Sequence, residues 1–222
     1  MCVVTIRGRL GSGAQEIGRL IAKALHADYV DREIIARVAE VVRAHEDDVS
    51  AKEMPPGSLL GRIAGALSHG YAIGGVHGVE SYAAVYLPPT GMSLDDARYM
   101  EGLSSVIKEL AAIGPIVIRG RGSQFILKDH PGALHVLTVA PLAVRVDRTI
   151  DSMGLGEEDA KKEIARSDGS SREFIKRYFH AELESPLNYD MVLNTGQLSF
   201  EDAASIVLSA VPSKDRAASK AL

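Results

Sequence analysis

The sequence predicts an α/β fold in which five parallel strands alternate with helices. Short apolar runs, typical of buried strands, lie at residues 2–7, 28–30, 116–119, 134–140 and 190–194. Amphipathic segments separate these runs, which favours right-handed crossover helices. A glycine-rich turn joins the first strand to the first helix. Because the carboxyl ends of parallel strands meet at one edge of a sheet, the residues that follow these strands are expected to converge there.

The composition indicates a globular protein with one large domain, or a core with insertions. Of its 222 residues, 46% are hydrophobic and 24% are charged. A formal net charge of −4 is unlike that of a typical nucleic-acid binder, so no nucleic-acid partner is expected. The single cysteine, Cys2, excludes an internal disulfide and fits a reducing compartment. With no secretory signal pattern and no apolar run of the roughly 18 residues that a membrane span needs, the expected location is the cytoplasm, without a membrane partner.

The turn GRLGSG predicts an anion-binding loop. A strand, a glycine loop and a helix N-terminus together direct N–H groups and positive potential toward one point. The spacing of Gly8 and Gly13 matches the first half of the P-loop pattern G-x-x-x-x-G-K-[ST]. In the second half, Ala14 replaces the phosphate-binding Lys and either Gln15 or Glu16, depending on the alignment, replaces the metal-binding Ser/Thr. The alternative is a strand–turn–helix corner whose glycines serve only the turn.

Polar side chains follow two other predicted strands. Asp31 and Arg32 come directly after the strand at 28–30. Asp31 is either a plain helix N-cap or a carboxylate beside the glycine loop. Arg119 and Arg121 end the next strand in the stretch RGRGS. Two arginines at this position suit a grip on a phosphate or carboxylate, and a solvated loop is the alternative.

The order of these elements predicts a core interrupted by an insertion. Residues 1–44 and 93–212 are expected to form the core, and residues 45–92 the insertion. Within the insertion, the glycine-rich segment 57–91 is either a cover over the site or the surface of a homodimer. The final helix is expected to end near Ala210, with a flexible tail at 213–222.

Two helices after the RGRGS stretch carry charged residues of interest. Arg145 and Arg148 are three residues apart on one helix face. In the long charged helix that follows, Asp168 and Arg172 are four residues apart, which predicts an ion pair within the helix. The alternative for this helix is a mobile arginine lid over a phosphoryl site.

Several separated stretches, taken in order, resemble one family. They are IRGRLGSGAQEIG, YVDREII, IVIRGRGSQFIL, APLAVRVDR, IARSDGSSREFIKRYF and SPLNYDMVLNTGQLSFEDA. They span most of residues 3–208 and are similar to the cytidylate kinase-like branch of the P-loop nucleoside monophosphate kinases. The resemblance implies a P-loop NTPase-like three-layer fold, with a helical monophosphate-binding insertion and a lid at about 153–183. It also implies phosphoryl transfer from ATP, with Mg²⁺, to a nucleoside monophosphate such as CMP or dCMP.

The resemblance further implies roles for individual residues. Those expected to bind the donor nucleotide are Gly8, Gly11, Ser12, Gly13, Ala14 and, beside the base, Arg148. Those expected to bind the acceptor are Asp31, Arg32, Arg119 and Arg121. Those expected to stabilise the transferred charge are Arg121, Arg166 and Arg172. The expected metal ligand is Glu16.

The chain departs from the family pattern at the loop cation and at Gly122, which replaces the Asp of a G-R-D motif. Arg7, Arg9 and Arg19 are the nearby candidates for the missing cation. Two hypotheses follow: a divergent kinase that uses ATP and Mg²⁺, and a non-catalytic nucleotide- or anion-binding regulatory protein on the same scaffold. A third is a protein-interaction surface at residues 57–91.

Overall fold

The computed structural model describes residues 2–31 and 96–220. The chain divides into two compact units, one of Met1–Tyr29 with Pro115–Leu222 and one of Val30–Gly114. The first unit contains the glycine loop and most of the sheet, and it is the unit on which the functional argument rests.

Several predicted features lie outside the described residues. They are Arg32 and the insertion at 45–92 with its segment 57–91. What the sequence predicts for these features stays a prediction.

Five strands form one sheet in the order β2-β3-β1-β4-β5. Their bounds are β1 Val3–Gly8, β2 Asp28–Val30, β3 Ile116–Arg119, β4 Ala133–Val139 and β5 Met191–Asn194. The central strand β1 pairs in parallel with β3 and β4, which places Ile6 opposite Arg119 and Gly8 opposite Thr138. The predicted five-stranded parallel α/β fold is confirmed, and the strand that leads into the glycine loop is its central one.

The described helices are α1 Ala14–Ala24, α2 Asp96–Ile113, α3 Ser123–Ile126, α4 Leu142–Met153, α5 Glu157–Phe179 and α6 Phe200–Lys220, with a 3₁₀ turn at Pro186–Asn188. The sequence does not predict the short helix α3 after the RGRG turn. It also ends the last helix too early, at Ala210, and expects a flexible tail from residue 213. The helix continues through Pro212 as far as Lys220. A proline inside a helix removes one hydrogen bond and can bend the helix without ending it.

The main apolar core lies between one face of the sheet and the helices α1 and α6. Its buried members include Val4, Ile6, Ile17, Ile21, Val117, Val136, Ala203 and Val207. Full burial of one such Val or Ile side chain contributes about 1.5–3 kcal/mol. A smaller cluster of Val146, Ala160 and Ile164 joins α4 to α5, and Leu10 of the glycine loop packs against it. The loop is therefore anchored on a rigid sheet and on the α4–α5 pair.

The helix α2 belongs to the second unit. The apolar stripe that its periodicity predicts is buried at every position, namely Leu103, Val106, Ile107, Leu110 and Ala111. In the described part of the chain, no helix is long and apolar enough to cross a membrane.

Candidate functional site

The glycine loop ends on a helix whose first N–H groups meet no backbone acceptor among the described residues. Gly13 has φ 82° and precedes α1 without a side-chain cap. The first bond back into the loop is donated by the Ile17 N–H to the Gly13 carbonyl, at 3.0 Å. Among the described residues, no backbone acceptor meets the N–H groups of Ala14, Gln15 and Glu16. Unsatisfied N–H groups at the positive end of a helix form a site for an anion.

Three carbonyl groups of the loop, in contrast, are held from outside it. The Leu10 carbonyl accepts from Arg145 Nε at 2.7 Å, and the Gly11 carbonyl accepts from Arg148 Nη1 at 3.2 Å. The Ser12 carbonyl accepts from Thr195 Oγ1 at 3.0 Å. In a trans peptide the carbonyl and the next N–H point in opposite directions, so these bonds turn the N–H groups of Gly11 and Gly13 away from Arg145 and Thr195. The Ser12 N–H donates to the Arg9 carbonyl at 3.0 Å. The loop therefore presents donors on its open side.

Arg145 is the most buried of the charged residues that hold the loop. Its side chain is 3% exposed and binds the Asp168 carboxylate with both terminal nitrogens, at 2.8–3.0 Å. Arg9 also contacts Asp168, at 3.4 Å, and pairs with Glu184. Asp168 thus bridges α5 to α4 and to the loop. The predicted ion pair between Asp168 and Arg172 is wrong, because the carboxylate faces α4 and meets a guanidinium that is already fixed there.

Arg148 joins the loop to the end of β5. Its guanidinium donates to the Thr195 hydroxyl at 2.9 Å and to the Thr195 carbonyl at 2.7 Å. It also stacks on the Phe200 ring at 4.6 Å, a cation–π contact. These bonds give Arg148 a supporting role for the loop, and its predicted place beside a donor base stays a prediction.

Ser12 and the glycines set the shape of the loop. The Ser12 hydroxyl is buried, donates to the Arg9 carbonyl at 2.7 Å and lies 2.9 Å from Thr138 Oγ1. A Cβ at Gly8 would overlap both hydroxyl oxygens, and a Cβ at Gly13 would overlap the Phe200 ring. Ser12 therefore contributes to the loop from within, and Gly8 and Gly13 are needed for close packing as well as for the turn.

We expect Gly13→Ala to lower the free energy of unfolding by about 2–4 kcal/mol. The new Cβ meets a backbone with φ 82° and the ring of Phe200, so left-handed strain and overpacking add. Urea unfolding measures the change. The matched control is Gly169→Ala within α5, where a Cβ meets nothing within 4 Å and the higher helix propensity of alanine should stabilise the protein. Equal stability of Gly13→Ala and the wild type would contradict this account of the loop.

Arginines gather where the strands β1 and β3 end. Arg7 precedes the glycine loop on β1, and Arg119 ends β3. The turn after β3 holds Arg121 at φ 55°, and its Gly120 N–H donates to the Ile6 carbonyl at 3.2 Å. Burial lowers the pKa of Arg7, and the nearby charges of Arg119 and Arg121 lower it further, against opposing contributions from Tyr189 and Asp168. The predicted convergence of arginines at this edge thus includes Arg7 as well as Arg119 and Arg121.

Two neutral polar side chains lie beside these arginines. The Tyr189 hydroxyl donates to the Leu183 carbonyl at 2.6 Å and accepts from Gln124 Nε2 at 3.2 Å. Gln124 is buried, and its Oε1 has no hydrogen-bond partner. Burial raises the pKa of Tyr189 to about 12, although Arg7 and the bond from Gln124 favour its ionised form. Tyr189 is therefore neutral at ordinary pH.

Tyr189 gives a prediction for alkaline pH. Its pKa of about 12 in the folded state lies above the ordinary tyrosine value of 10.0. The neutral phenol therefore contributes stability that is complete below pH 10 and is lost as the pH rises toward 12. Ultraviolet difference titration should show one of the seven tyrosines ionising after the others. Tyr189→Phe should remove this late step and flatten the fall in stability relative to the wild type. A late step that persists in Tyr189→Phe would exclude the assignment.

The other predicted site residues are placed as follows. Asp31 is buried directly after β2, in the second unit. Glu16 is exposed in the first turn of α1, where a carboxylate is favourable. On α5, Arg166 is exposed and pairs with Glu163 at 2.6 Å, and Arg172 is exposed. In the described residues no group of three His, Cys, Asp or Glu side chains could hold a metal ion. The roles predicted for Asp31, Glu16, Arg166 and Arg172 stay predictions.

The sequence analysis missed several residues that build the site. It assigned no role in the loop to Arg145, Thr138, Thr195 or Phe200, and none beside the arginines to Gln124 and Tyr189. The signal for Arg145 was present, since it shares a helix face with Arg148. The others come together only through the order of the strands in the sheet.

Comparisons with known proteins identify the family. A model of the cytidylate kinase-like family matches residues 3–197. The chain is 27% identical over 133 residues to a cytidylate kinase of Pyrococcus horikoshii, covering 56% of this chain and 68% of that protein. It is 28% identical over 106 residues to a cytidylate kinase of Methanocaldococcus jannaschii, covering 46% and 59%. It is also 32% identical over 92 residues to a uronate isomerase of Corynebacterium glutamicum, covering 41% of this chain but only 18% of that protein.

A solved structure supports the fold. An uncharacterised protein of Eubacterium ventriosum superposes with a TM-score of 0.67 at 14% identity, over 96% of this chain and 99% of the other. At that identity the likeness concerns the fold alone. The family match over most of the length, the glycine loop on the central strand and the five-stranded sheet agree with one another. The chain belongs to the cytidylate kinase-like family and has its P-loop α/β fold.

Proposed function

We propose that this chain is a divergent nucleoside monophosphate kinase that transfers a phosphoryl group from ATP to CMP, dCMP or a related small phosphorylated molecule. The observation that carries the proposal is the juxtaposition of two anion-binding features at one sheet edge. One is the glycine loop after β1, and the other is the arginine turn after the neighbouring strand β3. Membership of the family supports the reaction class.

The loop is suited to the phosphates of the donor. Its carbonyls are held by Arg145, Arg148 and Thr195, so its N–H groups are oriented before any ligand arrives. Preorganised donors of this kind cost little reorganisation on binding. ATP fits here through its phosphates, and bound Mg²⁺ would supply the charge that offsets their repulsion. Glu16, at the start of α1, is the proposed carboxylate for that ion, since Mg²⁺ in such sites uses one or two carboxylates together with substrate phosphates.

The arginine turn is suited to the phosphate of the acceptor. Guanidinium groups bind phosphate oxygens in pairs, with defined geometry. Arg121 is held at φ 55°, a backbone conformation that costs about 1–2 kcal/mol in a residue other than glycine. Strain of this kind at a ligand site is retained when the side chain must point in a particular direction. We assign Arg119 and Arg121 to the acceptor phosphate.

The test is a product assay joined to calorimetry. Purified protein is titrated with ATP–Mg²⁺, with CMP and with both, and CDP formation is followed with CMP, dCMP, UMP and AMP as acceptors. We expect CMP to increase the affinity for ATP and CDP to form only when both nucleotides are present. Binding of neither nucleotide would refute the proposal.

A second function is favoured by one observation. The methyl group of Ala14 is buried where a P-loop kinase needs a cation. A non-catalytic protein that senses a nucleotide or another anion on this scaffold would not need that cation. Nucleotide binding without any product, at all acceptors tested, would decide for this second function. We also propose a cytoplasmic location and leave the homodimer through residues 57–91 as a hypothesis, to be tested by the mass of the protein in solution.

A further inference from the structure

Three arginines close to the glycine loop in the sequence are candidates to replace its missing cation. Two of them, Arg9 and Arg19, contact other side chains. Arg9 pairs with Asp168 and Glu184. Arg19 lies 5.7 Å over the ring of Tyr29, on the exposed side of α1. The third is Arg7.

Arg7 differs from both in its surroundings. Its Nε is buried and has no hydrogen-bond partner. No carboxylate of the described residues forms an ion pair with it, since the nearby Asp168 is bound by Arg145 and Arg9. A buried guanidinium nitrogen in this state is costly, because no hydrogen bond repays its desolvation. The unpaired Nε of Arg7 can therefore bind an anion that the described residues do not supply.

The position of Arg7 indicates which anion this is. Arg7 immediately precedes Gly8, the first glycine of the loop. Its Nη1 lies 3.4 Å from the point that a Cβ of Gly120 would occupy, so the guanidinium lies against the turn that carries Arg119 and Arg121. A group held by Arg7 would therefore lie between the loop and that turn.

We propose that Arg7 binds the phosphoryl group that passes between the glycine loop and the arginine turn, and that it supplies the positive charge absent at residue 14. This inference rests on the proposed function and names the cation of that same site. Arg7 would act on the substrate itself. The lowered pKa that burial and neighbouring arginines impose on Arg7 agrees with a site that is short of negative charge.

The test uses inorganic pyrophosphate as a probe, so that it does not depend on turnover. Calorimetric titration compares the wild-type protein with Arg7→Met, Arg7→Lys and the control Arg19→Met, which makes the same change in charge and shape on the exposed side of α1. We expect Arg7→Met to weaken pyrophosphate binding by about 10- to 100-fold, as for the loss of a hydrogen bond to a charged group. Arg7→Lys should retain part of the affinity, and Arg19→Met should leave it unchanged.

A second measurement separates a binding role from a structural one. Arg7→Met removes a partly buried charge that forms no ion pair with a described residue, so its melting temperature without ligand should equal or exceed that of the wild type. Pyrophosphate should stabilise this variant less. If the Met variant does not fold, Arg7→Gln takes its place. Unchanged pyrophosphate affinity on loss of Arg7, or no pyrophosphate binding by the wild type, would overturn the inference. Pyrophosphate binding that depends on Arg7, without any kinase activity, would leave it standing and refute only the proposed function.

Discussion

Arg145→Met is expected to lower the free energy of unfolding by about 3–5 kcal/mol, the cost of breaking a buried ion pair from one side. Arg145 is 3% exposed and Asp168 is 11% exposed, so water does not replace the lost partner. The substitution leaves the Asp168 carboxylate with only the 3.4 Å contact to Arg9, and it removes the donor that holds the Leu10 carbonyl. Urea unfolding of the variant and the wild type measures the effect. Because the hydrogen bond from Arg145 to the Leu10 carbonyl orients the loop, the affinity for ATP should fall as well.

A double-mutant cycle tests this explanation. Asp168→Leu removes the other charge, and we expect the pair Arg145→Met with Asp168→Leu to be more stable than Arg145→Met alone. Residues in direct contact typically show coupling free energies of about 0.5–3 kcal/mol. The exposed pair of Lys162 and Asp159 on α5 is the matched control, and Lys162→Met should change stability by less than about 1 kcal/mol. Strictly additive losses at Arg145 and Asp168 would mean that the pair does not stabilise the loop.

The sequence was sufficient for the frame of the fold and for the place of the site. Continuous apolar runs predict buried strands, and the end of β1 in GRLGSG predicts the loop, because these signals are local. The RGRGS stretch predicts the second turn of the candidate site for the same reason. Once five parallel strands are predicted, the meeting of the two turns at one edge follows from topology alone.

The contacts that stabilise the site could not be predicted in this way. Asp168 has Arg172 four residues away on its own helix, yet it binds Arg145, because the packing of α5 on α4 turns it inward. Thr195 and Phe200 reach the loop from the far end of the chain. Neither has a local sequence signal that links it to the loop. Partner choice among charged residues depends on burial and orientation, which only the tertiary structure supplies.

Arg121→Ala is expected to lower kcat/KM for the acceptor by about 100- to 1,000-fold, if the proposed function holds. This is the range for losing one preorganised donor to a developing charge, and the change should leave KM for ATP nearly unaltered. Alanine also has a Cβ, so the strain of the left-handed backbone at φ 55° is the same in Arg121→Ala and in the wild type. The free energy of unfolding should therefore change little. Steady-state kinetics with CMP, beside calorimetric titration of CMP alone, separate acceptor binding from turnover.

The companion variant Arg121→Lys keeps the charge but loses the planar fork. It should recover CMP binding in part and turnover less, because a lysine binds phosphate as a point charge. If Arg121→Ala bound CMP as the wild type does and turned it over equally fast, the arginine turn would not be the acceptor site. The strained conformation of Arg121 would then need another explanation, and the pairing of two anion-binding turns at the sheet edge would no longer support a kinase.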